Sequence, residues 1–542
     1  MSPTHSPKGN AIVAPQPLAV EEGAKVLMRG GNAIDAAVTC AFVQGILDPQ
    51  MCGIGGYALL SFYSAAEQKF IAIDGPALAG AKVTANMWAD RVIRPNPDGW
   101  GYFLHGRLND AGYSSICTPG WVKTMATMLE RCGTISWAEA LAPAARIAEE
   151  GFTVLDRMAT RWQRKAKYPE ATELLDYIRL NPEASRVYLK ADGEPYGLGE
   201  TLRNHDYAST LHHLGNSGPE DFYTGDLAAR MSADLAANGS FVTADDLADY
   251  QLREEMAVSG TYRGYRVDST TAPHGGPTLI AILNILEGYE LGAMEHNSPE
   301  YIYLVAMAMK AAFADRNQYM ADPNFQDVPV EWMISKERAA QWRARIDAGE
   351  PINADFVPTG TPDTTHVSVI DSQGNCVALT HSLGASSGVI TPGLGFMYNN
   401  SMINFHPLPG HANSIAPKKG RTTGMCPTVV SKDGKPLLVL GSPGATRIIT
   451  SNLLVILNVI DFGMTVNEAV YAPRFDCQIN TIRCHARIPS FVRDEIAKKH
   501  PVEMLPYSHG GFALVHALGI DPATGVRSGG ADTGADGMAL VV

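Results

Sequence analysis

The run Asp363-Thr364-Thr365-His366-Val367-Ser368-Val369-Ile370-Asp371 sets a threonine at the boundary between a loop and an alternating β-branched stretch. If the bond before Thr364 were cut, its hydroxyl and a new α-amine would share one residue at the start of a strand. Such an amine titrates near pH ~8 and can serve as base for its own hydroxyl, the chemistry of an N-terminal threonine nucleophile. Taken alone, a β-branched strand start is the plainer reading. A second group shifts the balance. Gly441-Ser442-Pro443-Gly444-Ala445-Thr446-Arg447 stands between a strand and an apolar helix. Backbone N–H groups at such a turn form a natural oxyanion hole, although by itself this too reads as a simple strand–helix connection.

Other matches to chemical motifs fail on context. Gly53-Ile54-Gly55-Gly56-Tyr57-Ala58 fits G-x-G-x-x-A. A dinucleotide site needs a strand before the turn and a helix after it, and here the order is reversed. Gly384-Ala385-Ser386-Ser387-Gly388 is a literal G-x-S-x-G. The following Val389-Ile390-Thr391-Pro392-Gly393 cannot form the helix that a nucleophile elbow requires. There is no phosphate-binding G-x-x-x-x-G-K-[ST] and no H-E-x-x-H, and His212-His213 reads as a surface pair. No metal or cofactor is called for.

The elements that would position these groups can be read from periodicity. Val20 to Arg29 and Ala33 to Leu47 have helical apolar spacing, split by Gly30-Gly31-Asn32. Tyr57 to Phe62 and Lys69 to Asp74 read as strands. The middle, about 120 to 355, reads as mostly helical, with Trp137 to Glu150, Tyr301 to Tyr319 and a charged Lys336 to Gly349. Pro351 to Asp363 reads as an exposed loop. Three hairpins follow: Thr365 to Ile370 with Cys376 to Leu383, Pro427 to Ser431 with Leu437 to Leu440, and Phe512 to Gly519 with Val526 to Gly530, the last closing the chain. Arg447 to Phe462 is an apolar helix. Strand pairs at both ends with apolar helices around them predict stacked antiparallel sheets with helices outside.

Length sets a soft expectation of about three to four domains, although large single cores occur. The net charge of −13 argues against a nucleic-acid partner and against an anionic membrane surface. The start of the chain shows no secretory signal pattern, and no run is long and apolar enough to span a membrane. The eight cysteines are scattered without a C-x-x-C pair and read as reduced core thiols, which predicts a cytoplasmic address.

Taken in order along the chain, these residues resemble the γ-glutamyltranspeptidase family of N-terminal-nucleophile hydrolases. The resemblance runs through Gly30-Gly31-Asn32-Ala33-Ile34-Asp35-Ala36-Ala37, Gly53-Ile54-Gly55-Gly56 and Thr118-Pro119-Gly120. It continues through Phe313-Ala314-Asp315-Arg316 to Asp322-Pro323, Thr364-Thr365-His366, Gly441-Ser442-Pro443-Gly444 and Ala472-Pro473-Arg474-Phe475. It implies an α+β fold, an αββα sandwich, made as one precursor. Thr364 would attack the Asp363 carbonyl and divide the chain into a large subunit, 1–363, and a small subunit, 364–542. These stay together as a heterodimer, with a dimer of heterodimers as a further option. Ser382 stands where the family has a Thr that contacts the nucleophile's amine, and Gly444 and Ala445 match its oxyanion Gly-Gly.

The departures concern the substrate. Where the family carries an Arg for the glutamate α-carboxylate, this chain has Gly75-Pro76-Ala77-Leu78. The family's Asn becomes Gly384, its Gln becomes Ser401, its ammonium-binding Asp becomes Asn404, and its Ser-Ser pair becomes Thr423-Gly424. Each lost charged contact would weaken binding of a buried zwitterion by about 1.5–3 kcal/mol. The expected activity is an autoprocessing amidohydrolase with altered acyl specificity, acting on dicarboxylic monoamides, oxamate-like acids or acyl-amine side chains. Within the class the alternative is an ordinary γ-glutamyltransferase/glutathione hydrolase. From another class it is an unprocessed binding protein on the same scaffold.

Overall fold

The structure, a computed structural model, describes residues 9–97, 99, 101–354 and 363–542. Two 6-stranded sheets stack face to face. The first runs Met538–Val541, Ala11–Ala14, Thr365–Ile370, Cys376–Ser382, Tyr57–Ser64, Lys69–Gly75. The second runs Arg527–Ala531, His516–Ile520, Lys435–Gly441, Thr428–Lys432, Tyr265–Thr270, Ala257–Tyr262. Every neighbouring pair in both sheets is antiparallel.

Period-two alternation decides which face each residue covers. Ala11, Val13, Ile370, Cys376 and Ala378 of the first sheet meet Val429, Val439 and Leu518 of the second. Residues of opposite parity turn outward. Ile12, Ala58, Leu60 and Val367 pack under helices Pro17–Met28 and Ala33–Leu47. On the other side Val267, Val430, Leu438 and Leu440 pack under Gly276–Leu286, Pro299–Tyr319 and Arg447–Ile460. Each large aliphatic buried this way contributes about 1.5–3 kcal/mol. Helix Ala33–Leu47 is buried on nearly all sides, which its Ala, Val and Ile content permits. It starts at Asn32, whose side chain accepts from the N–H groups of Ile34 and Asp35, with Asp35 answering in a capping box.

The αββα sandwich expected from the hairpins and apolar helices is present, and three differences are informative. The middle of the chain is not only helical. Ala257–Tyr262 and Tyr265–Thr270 form a hairpin that supplies the edge of the second sheet. Its two-residue turn, Arg263-Gly264, takes φ of 52° and 79°, the left-handed pair that suits a hairpin's twist. The third C-terminal hairpin does not close the chain, because Met538–Val541 follows and pairs with Ala11–Ala14 in the first sheet. Of the expected exposed loop at 351–363, Ile352, Ala354 and Asp363 are buried, while 355–362 lie outside the described residues.

The first sheet carries a polar layer on its helix side. Gln44 Nε2 donates to Gln16 Oε1 at 2.7 Å and to Thr365 Oγ1 at 3.0 Å. Trp121 Nε1 donates to His381 Nδ1 at 2.9 Å, so the remaining Nε2–H of His381 faces Gln44 Oε1, also at 2.9 Å. Burial pushes His381 down to about 3 and His516 to about 4, and pushes His366 well below its usual range. These rings therefore stay neutral while folded, whereas in the unfolded chain they take up protons below pH ~6.5. The unfolded state then binds more protons, so stability falls as pH drops from about 6.5 toward the folded values. In denaturant titrations of an uncleaved Thr364→Ala background, stability is lower at pH 5.5 than at pH 7. Adding His381→Gln reduces that pH-dependent loss by about 1.4 kcal/mol.

Candidate active site

The pairing Thr365↔His381 places Thr364 just beyond the end of the ladder, beside Ser382. Thr364 Oγ1 lies 2.7 Å from the Asp363 carbonyl oxygen and 3.3 Å from Ser382 Oγ. Ser382 Oγ donates to the same carbonyl at 2.5 Å and accepts the Gly384 N–H at 2.8 Å. Gly384 adopts φ 75°, a conformation that suits glycine and turns its N–H back onto Ser382. The Asp363 carboxylate is ion-paired with Arg161, which anchors the residue on the acyl side of the bond. Thr364 is only 3% exposed, so this arrangement is nearly dry.

The oxyanion candidate enters from the second sheet. Gly441 ends its strand against the ring of His366, two residues past Thr364, and any Cβ there would overlap that ring. The loop that follows is braced by Ser442 Oγ donating to Asn452 Oδ1 at 3.0 Å and by the Leu514 N–H on the Pro443 carbonyl at 3.1 Å. Gly444 and Ala445 take φ of 141° and 56°. Among the described residues their N–H groups have no partner. For alanine the left-handed conformation costs about 1–2 kcal/mol. Gly424 packs against this turn, where a Cβ would strike the Ala445 carbonyl.

The positions read as substrate contacts divide into two groups. Ser401 Oγ and Asn404 Oδ1 are buried without a partner. Asn399 holds their turn by accepting the N–H groups of Cys117 and Ser401 and donating to the carbonyls of Gly55 and Cys117. Thr423 is committed elsewhere. Its hydroxyl lies 2.8 Å from His274 Nδ1, and His274 Nε2 is 3.0 Å from Asp74. Arg316 donates to the carbonyls of Thr423 and His274 at 2.7 and 3.2 Å, and Asp322 accepts the Gly420 N–H. Thr423 is thus held by His274 and Arg316, and its neighbour Gly424 buttresses the Gly444–Ala445 turn. Pro76 presents only its carbonyl, which accepts the Tyr250 hydroxyl at 2.7 Å. Sequence reasoning missed Arg161, Asn413 and Arg421. Arg161 stands near the end of the short helix Asp156–Trp162 and the other two stand in loops, and a lone basic or amide residue carries no spacing signal.

The rejected motifs resolve sterically. Gly53 packs against Gly45, Gly55 against the Met397 carbonyl and Gly56 against the Ser382 carbonyl, which makes the glycine run a close-approach turn. Ser386 is buried, its Oγ lies 3.1 Å from Met397 Sδ and accepts the Gly388 N–H at 3.0 Å, and no helix follows it. Among the described residues no cluster of three His, Cys, Asp or Glu could hold a metal, and no helix is long and apolar enough to cross a membrane.

The two stacked antiparallel sheets with helices outside are the architecture of the N-terminal-nucleophile hydrolases, and the Thr364 hydroxyl rests on its own preceding carbonyl at a strand start between them. The gamma-glutamyltranspeptidase family model matches residues 19–542, and the chain belongs to that family of hydrolases and acyltransferases. It is similar to the acylase ACY 1 proenzyme of Pseudomonas sp. (strain V22), 36% identical over 550 residues, 98% of this chain and 93% of that one. The glutathione hydrolase proenzyme of Escherichia coli (strain K12) is 33% identical over 490 residues, 87% of this chain and 81% of that one. Among solved structures, cephalosporin acylase from Bacillus halodurans superposes with a TM-score of 0.87 at 26% identity, covering 100% of this chain and 97% of that one.

Because Ser386 touches neither Thr364 nor the Gly444–Ala445 turn, Ser386→Ala processes normally and keeps activity within about threefold of wild type. A loss of several orders of magnitude in a folded variant, read by kcat/KM, would restore the serine-hydrolase reading.

Proposed function

We propose that this chain is an autoprocessing N-terminal-threonine amidohydrolase of acylase type, cleaving a small acyl amide through an acyl-enzyme. The observation that carries the reading is the Thr364 hydroxyl placed on the Asp363 carbonyl and bridged to it by Ser382. In processing, Thr364 Oγ1 attacks the Asp363 carbonyl carbon. Ser382 takes the hydroxyl proton and passes its own to the developing oxyanion. As the C–N bond breaks, the proton on that oxygen passes back through Ser382 to the nitrogen, which leaves as the α-amine of Thr364, and the re-formed carbonyl is an ester joining Asp363 to Thr364 Oγ1. Water hydrolyses that ester, leaving 1–363 and 364–542 as a heterodimer.

In turnover the freed amine is the base. It accepts the Thr364 proton as Oγ1 attacks an amide carbonyl, then returns a proton to the leaving amine. The N–H groups of Gly444 and Ala445 receive the oxyanion, a contribution worth about 2.7–4 kcal/mol per donor in related chemistry. Water or an acceptor amine releases the acyl group.

Acyl specificity follows from charge. A γ-glutamyl donor brings an α-ammonium that needs an anion, and the matching positions, Ser401 and Asn404, are neutral. The likeness to an acylase supports the same reading. All eight cysteines are free, which fits a reducing, cytoplasmic setting.

Thr364→Ala therefore remains one chain of about 58 kDa on a denaturing gel and has no amidase activity, whereas wild type gives bands near two-thirds and one-third of that mass. Two bands from the variant would remove Thr364 from its role. The wild type is a poor γ-glutamyl anilidase, and Asn404→Asp raises kcat/KM on γ-glutamyl anilide by about 10- to 100-fold, from one charge-assisted hydrogen bond. The same change lowers activity on an acyl anilide lacking the ammonium, because a buried unpaired carboxylate is costly. A wild-type preference for γ-glutamyl anilide by two orders of magnitude would replace this reading with that of a glutathione hydrolase.

A further inference from the structure

We infer that Arg421 is the anchor for a carboxylate on the far end of the acyl group, so that the substrates are monoamides of dicarboxylic acids. The inference rests on the acylase reading above and specifies its substrate. Arg421 is 5% exposed, yet no acidic residue pairs with it among the described residues. Arginine is almost never buried this deeply without a counter-charge. Its Nη1 donates to the carbonyl of its neighbour Thr422 at 3.2 Å. Nε is buried without a partner, and none is recorded for Nη2 among the described residues. The Nε–Nη2 edge is the side of a guanidinium that grips a carboxylate through two parallel hydrogen bonds.

The position suits an acyl group on Thr364. The guanidinium carbon lies 4.3 Å from the centre of the Tyr57 ring. Tyr57 is the direct cross-strand partner of Ser382, so the two side chains share the face that carries the nucleophile. Arg421 therefore stands one aromatic side chain away from the Thr364–Ser382 pair. The antiparallel bridge Leu78↔Gly420 also carries Arg421 alongside Ala77, next to Pro76, which has no N–H to offer.

Three more buried hydroxyl or amide oxygens without a partner lie on the neighbouring residue and on a loop tied to it: Thr422 Oγ1, Ser401 Oγ and Asn404 Oδ1. Asn413 ties their two loops together, donating to the Asn404 carbonyl at 2.6 Å and accepting the Thr422 N–H at 3.1 Å. Thr422, the neighbour of Arg421, and Asn413 line a cavity of about 680 Å³, and Asp363, Ala385 and Ile403 line another of about 160 Å³. The one positive charge here suits a carboxylate, to which the Ser401 and Thr422 hydroxyls can also donate, whereas Asn404 Oδ1 can only accept and none of these groups is an anion that would pair with an ammonium.

The test compares succinyl, glutaryl and adipoyl p-nitroanilides with their uncharged butanoyl, pentanoyl and hexanoyl counterparts on the self-processed enzyme. The expected result is a preference for the best ω-carboxyl substrate over its counterpart by about 10- to 100-fold in kcat/KM. Arg421→Met abolishes that preference, mainly by raising KM for the ω-carboxyl substrate. Arg421→Lys recovers part of it. Two-band processing reports whether each variant has folded. If a variant fails to process, inhibition of the wild type decides: glutarate, succinate or adipate competes at least tenfold better than the matching monocarboxylate. Equal inhibition, or Arg421→Met lowering both substrates of a pair equally, overturns the role of Arg421 while the acylase reading stands. Turnover confined to γ-glutamyl anilide overturns both.

Discussion

Everything at the site depends on the register between Thr365–Ile370 and Cys376–Ser382. With Thr365 opposite His381, Ser382 falls beside Thr364 and its hydroxyl reaches the Asp363 carbonyl. A slip of one residue would turn Ser382 to the helix side and bring a different side chain to that carbonyl. The register is held from three directions. At the turn, Asp371 accepts the N–H groups of Gln373 and Asn375 and also caps helix Ala33–Leu47 through the Ala33 N–H. On the helix side, His381 is locked between Trp121 and Gln44. Between the sheets, His366 binds Thr380 and Ser368 and lies against Gly441.

The same contacts explain why so polar a layer survives in the interior. Gln16, Gln44, His381 and Trp121 satisfy one another, and satisfied polar groups specify one arrangement where apolar ones would allow several. Among the buried atoms without a partner after Asp363 are Ser401 Oγ, Asn404 Oδ1, Arg421 Nε and Thr422 Oγ1. The Gln16–Gln44–His381–Trp121 layer behind Thr364 is thus mutually satisfied, while these four atoms are left open to a substrate.

Much of this was legible in the sequence. The three hairpins and the helices Ala33–Leu47, Trp137–Glu150 and Arg447–Ile460 follow from periodicity, because each buries one face or an apolar whole. The strands Ala11–Ala14 and Met538–Val541 did not, since four residues are too few to show a period and their stability comes from each other and from Thr365–Ile370. The loop-to-strand boundary at Thr364 and the strand-to-helix turn from Gly441 to Arg447 were readable because such boundaries have compositional marks. The Arg161–Asp363 ion pair was not, because 202 residues separate its partners. Arg421 was hidden for a related reason: what distinguishes it is the absence of a partner, which only the folded molecule displays.

The strand order of the first sheet has a further consequence. Segments from before and after Asp363 alternate in it, with Ala11–Ala14 between Met538–Val541 and Thr365–Ile370, and Tyr57–Ser64 against Cys376–Ser382. A chain cut after Asp363 would be two pieces that interleave. Once denatured, they would lose the tether that keeps their effective concentration high and would have to meet again as separate molecules. Persistence of the cut protein would then be governed by how slowly it unfolds, not by an equilibrium it can re-enter. Since Ser382 reaches the Asp363 carbonyl only after the central strands have paired, such a cut would come only after assembly. Cleavage would act as a ratchet, recording that folding has finished and removing the return path.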